Sequence, residues 1–133
     1  MAGAVAYLDT SAFVKLVVAE PESSALRRAI TRWPQRASST LLRTETIRAL
    51  RRSGNTGQIP AARRLLRGVS MVRADEPLLD RAADLEPDEL RTLDAIHLAS
   101  ALEIGQDLGV MIAYDIRLKA AAQAYGLAVE SPS

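Results

Sequence analysis

Four acidic side chains stand where an apolar run ends or a helix begins. Asp9 follows Ala4–Leu8, Glu45 lies in Leu41–Thr46, Asp94 opens the apolar stretch Leu93–Leu102, and Asp115 follows Val110–Tyr114. In an α/β fold, parallel strands deliver such ends to one edge of the sheet. Carboxylates gathered in one cleft repel each other and resist ionising together. A divalent cation that prefers oxygen ligands, Mg²⁺ or Mn²⁺, removes that conflict. The pattern therefore points to metal-dependent chemistry on phosphate esters.

Each position also has a plainer explanation. Asp9 precedes Thr10 and Ser11, so a carboxylate there lies beside a helix N-terminus, which suits a metal and a phosphate. An ordinary helix cap has the same signature. Asp94 falls in the first turn of a helix, where the helix dipole alone stabilises a negative charge. Asp115 can be a cap in the same way, and Glu45 taken singly reads as part of a solvated helix face. His97 lies one turn beyond Asp94 on the same helical face. Flanked by Ile96, Leu98 and Ala99, this single histidine reads as a structural residue hydrogen-bonded in the core rather than as a base or ligand. The case for chemistry rests on the four acids together.

The elements that must position them follow from hydrophobic periodicity and breakers. Ala4–Leu8 reads as a buried strand, with Thr10 or Ser11 capping the next helix. Pro21 is expected in the first turn of a second helix continuing over 23–33, which Pro34 ends. Residues 37–39 give a weak strand signal, 40–52 a helix, and Ser53–Gly57 a loop. An Arg-rich helix is expected over 61–67, a strand over 69–72, a helix over 77–85 and a loop over 86–89. Thr92 can cap a helix running to about Gln106. Val110–Tyr114 reads as a strand, 116–125 as a helix and 127–129 as a last short strand. Strands alternating with helices imply a parallel sheet covered on both sides, in a single domain over 1–133.

Bulk properties narrow the class. The chain has 133 residues, 48% hydrophobic and 25% charged, which suits one globular domain with a real core. It has no cysteine, so neither a disulfide framework nor a thiolate metal site is available. That fits a reducing cytoplasm, and the sequence shows no membrane span and no secretory signal pattern. The net charge of +1 hides an asymmetry: residues 1–73 carry 13 Lys and Arg against 4 Asp and Glu, and residues 74–133 carry 4 against 12. Such polarity suggests a face for a polyanion, although solvated helix faces explain it equally well. Arginine supplies 15 of the 17 basic residues, which suits bidentate phosphate contact.

Read together, Tyr7–Ala12, Thr44–Thr46, Leu93–Ala99 and Ala113–Leu118 resemble the four signature segments of PIN-domain ribonucleases, and Phe13–Leu16 with Glu20-Pro21 resembles the first helix of that group. The nearest likeness is to the VapC type, the toxin of bacterial toxin–antitoxin pairs, and it spans essentially the whole chain. The resemblance implies a three-layer α/β/α sandwich around a mostly parallel sheet. It implies a Mg²⁺- or Mn²⁺-dependent endoribonuclease whose acidic quartet is Asp9, Glu45, Asp94 and Asp115. Asp9 and Asp94 would be the principal metal ligands, and Asp115 would bind directly or through water. Glu45 would hold or polarise a water, and Ser11 would support the ligands. The basic half would hold RNA, with Arg51 and Arg52 as candidates, and Arg117, just after Asp115, could touch a phosphate. The partners implied are RNA, a small VapB-like antitoxin and a second copy of the chain. A PIN-like module that binds without cleaving is the alternative. A haloacid-dehalogenase-like phosphatase fits poorly, because it wants a second Asp where Ser11 stands. A phosphoacceptor receiver domain wants paired acids after the first strand and a Lys where Asp115 stands.

Overall fold

The computed structural model describes residues 1–133. Five strands form one all-parallel sheet: β1 (Val5–Leu8), β2 (Gln35–Ser39), β3 (Ser70–Val72), β4 (Leu108–Ile112) and β5 (Val129–Glu130), in the order β3-β2-β1-β4-β5. Seven helices cover it: α1 (Thr10–Val17), α2 (Ser23–Ile30), α3 (Leu42–Arg52), α4 (Ile59–Leu66), α5 (Glu76–Ala83), α6 (Thr92–Ile104) and α7 (Ile116–Ala124).

β1 is central and wholly buried, so its side chains feed both faces. Val5 and Tyr7 point into a core shared with Leu98, Ala101, Leu118 and Ala122 of α6 and α7. Ala6 and Leu8 point the other way, onto Phe13, Leu26, Leu42 and Leu66 of α1 to α4. Helix α5 packs on α6 through Leu78, Ala82, Ala95 and Ala99. The result is the expected three-layer α/β/α sandwich. It keeps the two halves of the chain apart: α1 and the arginine-bearing helices α2 to α4 cover one face, and α6 and α7, with α5 against α6, cover the other.

The register of β1 against β4 shifts between Val5 and Ala6, leaving Gly109 as the extra residue. A Cβ there would collide with the Gly3 carbonyl and the Trp33 indole, so the close approach requires glycine. Beyond the shift, Leu8 pairs with Ile112, and the Asp9 amide donates to the Ile112 carbonyl. The ends of the two central strands are thus level where Asp9 leaves the sheet.

Several boundaries differ from expectation. Asp9, not Thr10 or Ser11, caps α1. Pro21 lies in a turn before α2, and that helix ends at Ile30 rather than Trp33, because residues 31–34 turn the chain into β2. Thr92 is the first residue of α6 and not its cap; Arg91 holds the cap position without a side-chain bond. β4 spans Leu108–Ile112, so Ala113 and Tyr114 form the link to Asp115 instead of ending the strand.

Candidate active site

Asp9 is 5% exposed at the carboxyl end of β1. Its Oδ1 accepts from the Ala12 amide at 2.9 Å, and the Ser11 hydroxyl lies 2.8 Å from Oδ1 and 3.1 Å from Oδ2. Capping explains this side chain only in part, since one oxygen remains free of any backbone donor. Burial raises the Asp9 pKa above its ordinary value. The Ala12 amide, His97 and Ser11 counter this, while the negative field of Asp94 adds to it.

Asp94 lies in the first turn of α6, and burial raises its pKa as well. Arg91 and His97 oppose that shift; Asp115 and Glu45 reinforce it. Two carboxyls are therefore pushed in the same costly direction, each partly by the other acids. Asp115 caps α7, its Oδ1 accepting from the Arg117 and Leu118 amides at 2.9 and 3.0 Å. The Arg91 side chain lies between the outer two acids: Nε is 3.7 Å from Asp94 Oδ2 and Nη2 is 3.7 Å from Asp115 Oδ2.

Glu45 reaches the same cleft from α3. Its Oε1 lies 2.8 Å from Nε2 of His97, which is 2% exposed. His97 is buried and hydrogen-bonded, as its apolar neighbours suggested, but its outward ring nitrogen faces a quartet member. The i, i+3 spacing from Asp94 was the available signal, because it sets both side chains on one face of α6.

A PIN-domain family model matches residues 6–124. The chain is 50% identical over 130 residues to Ribonuclease VapC46 of Mycobacterium tuberculosis, covering 98% of this chain and 99% of that protein. The chain belongs to the PIN-domain family, in its VapC type. Solved structures share its fold. M. tuberculosis VapC20, described as a toxin that cleaves the sarcin–ricin loop, superposes with a TM-score of 0.72 at 21% identity, over 87% of this chain and 94% of that one. A chain of a toxin–antitoxin complex from Klebsiella pneumoniae gives 0.72 at 22% identity, over 96% and 98%.

In this VapC-type cleft the donors are carboxylate oxygens flanked by the Thr10 and Ser11 hydroxyls, the chemistry that Mg²⁺ and Mn²⁺ select. The acids are not drawn into a closed cage; no three of them are grouped tightly enough to grip an ion as they stand. The donor type and the mutual repulsion fit a cation, while Asp94 and Asp115 are turned toward Arg91.

The basic candidates fall into different surroundings. Arg51 and Arg52 are exposed in the last turn of α3. Arg117 borders a groove beside Glu86, Asp88 and Glu89, an acidic setting. A separate cleft of about 620 Å³ between α3 and α4 is lined by Arg43, Arg48, Arg63 and Arg67. All four belong to the basic half of the chain, and the packing of α3 on α4 makes them converge. None of the seven forms an ion pair. Arg48 and Arg52 are also three and seven residues beyond Glu45, on the same side of α3.

Proposed function

We propose that this VapC-type PIN domain hydrolyses RNA phosphodiester bonds with Mg²⁺ or Mn²⁺ in the acid cleft. The observation that carries the reading is the pair Asp9 and Asp94, each raised in pKa by burial and by the negative field of other cleft acids. Asp9 and Asp94 would be the main ligands of the ion. Asp115 would join them through Oδ2, directly or through water, once that oxygen leaves Arg91. Bound there, the cation would offset charge on the phosphate and lower the pKa of a water.

The other residues prepare the cleft. Ser11 donates to Asp9 and fixes its carboxylate plane. Glu45 holds a water against the scissile phosphate and accepts its proton. Arg48 and the arginine cleft beyond it hold the RNA backbone as it leaves the cleft, with Arg51 and Arg52 on the same helix and Arg117 at the opposite rim. We further infer that a small VapB-like antitoxin covers the cleft, that the toxin self-associates as a dimer, and that both act in the cytoplasm. Leu93 is 49% exposed beside Asp94 and Ile116 is 80% exposed beside Asp115, an apolar rim that suits a covering partner. No helix is long and apolar enough to cross a membrane.

The test is cleavage of structured RNA with and without EDTA, followed by end analysis. Loss of cleavage in EDTA, restoration by Mg²⁺ or Mn²⁺, and 3′-hydroxyl products are expected, because water rather than the ribose attacks. Cleavage unaffected by EDTA, or a 2′,3′-cyclic phosphate, would contradict the mechanism.

A further inference from the structure

His97 has three polar neighbours drawn from three parts of the fold. The Tyr7 hydroxyl of β1 lies 2.6 Å from Nδ1, the Glu45 carboxylate of α3 lies 2.8 Å from Nε2, and the Thr10 hydroxyl at the start of α1 lies 3.2 Å from the same nitrogen. The Tyr7 ring meets the imidazole edge-on, with centroids 5.8 Å apart and planes at 75°. Packing and hydrogen bonds therefore hold the ring at both ends.

The partners also assign its protons. Tyr7 is fully buried, and its hydroxyl sits in direct hydrogen-bond reach of Nδ1. A neutral phenol at 2.6 Å donates to Nδ1 most simply, which leaves the ring proton on Nε2. A bare Nε2 lone pair could not face an ionised carboxylate at 2.8 Å, whereas an Nε2–H donates to it. Both ends thus call for the same tautomer.

We propose that His97 is a positioning residue: its Nε2–H clamps Oε1 of Glu45, while Tyr7 fixes the ring from behind. Glu45 stands on α3, which packs in the layer on the other side of the sheet from α6. Its carboxylate would otherwise be free to swing toward Arg48, three residues on along its own helix. The clamp leaves Oε2 of Glu45 for the water. The inference rests on the reading that Glu45 acts in cleavage.

The side-chain amides of Gln and Asn separate the two ends of the ring. His97→Gln can place its amide N–H near the position of Nε2 and keep the donor to Glu45. His97→Asn reaches only as far as Nδ1, keeping a partner for Tyr7 but not the clamp. Expected is near wild-type cleavage for H97Q and a loss of about 10- to 100-fold for H97N, the range usual for residues that orient a metal site's working groups. Both variants should melt at similar temperatures. Glu45→Gln alone, and H97N combined with E45Q, complete a cycle: if His97 acts only through Glu45, the double variant should be no worse than E45Q. Equal cleavage by H97Q and H97N, or losses that multiply in the double variant, would overturn the clamp while leaving the role of Glu45 intact. A fully active E45Q would instead overturn the reading beneath it.

Discussion

Asp9 and Asp115 occupy the same place in the fold twice over. Each follows a central parallel strand, each caps the next helix, and each gives Oδ1 to backbone amides. Yet Asp9 is 5% exposed and its pKa is raised, while the Asp115 side chain is 39% exposed and close to a guanidinium. The difference lies in what surrounds the two corners. β1 is the middle strand, so Asp9 is buried beside residues of α1 and α6, whereas β4 has only the two-residue β5 beyond it, so Asp115 opens toward solvent. Position at a strand end makes a carboxylate available; burial among other acids makes it costly, and a costly charge is one that a cation can relieve.

Substitution at the two corners should separate them. Asp9→Asn and Asp94→Asn should each abolish cleavage, and Asp115→Asn should cost about 10- to 100-fold, as for a group that tunes a site more than it forms one. Asn is a good helix cap, so D9N and D115N should both keep their helix starts. Stability should diverge in a definite direction. Raised pKa values mean that the folded chain holds protons on Asp9 and Asp94 more tightly than the unfolded chain does. The stability from this source is present below the ordinary carboxyl value of 3.8 and is lost as pH rises through the folded values. In EDTA, D9N escapes that loss, so its Tm should equal or exceed wild type, with a gap that widens as pH rises above 3.8. A destabilised but active D94N would mean that Asp94 serves mainly the helix dipole.

The smallest effect belongs away from both corners. On a D9N background, RNA affinity across a salt series should be steep, each neutralised phosphate adding about 0.7 to the log–log slope for single strands. Replacing Arg43 and Arg48 together by Gln, or Arg51 and Arg52 together, should lower that slope by about one or more and leave metal affinity unchanged. The larger drop is expected for the pair lining the α3–α4 cleft. A slope unchanged in both variants would reduce the charge asymmetry to solvation.

Much of this molecule was legible in its residues. The order of strands and helices, the burial of Ala4–Leu8 and the VapC-type family could be read from apolar runs and the four acid segments. Boundaries were less accessible. Three good capping residues, Asp9, Thr10 and Ser11, stand in a row before α1, and only the backbone picks Asp9, while Thr92 offered a cap that the structure does not use. The convergence of Arg43 and Arg48 with Arg63 and Arg67 depends on how α3 packs against α4, which no local pattern encodes. His97 was legible as a core residue, but its bond to Glu45 joins positions 52 apart. The charge asymmetry gained meaning only when the sheet placed the two halves on opposite faces.

If the acids of the Asp9 corner repel one another until a cation arrives, thermal melting under Mn²⁺ titration registers it without RNA. Wild type should rise in Tm with Mn²⁺, gaining about 2.7 kcal/mol at a hundred times the dissociation constant. D9N, starting level or higher in EDTA, should stay flat, so that the two curves meet or cross. A wild-type Tm that ignores Mn²⁺, or a D9N curve that climbs beside it, would contradict the account.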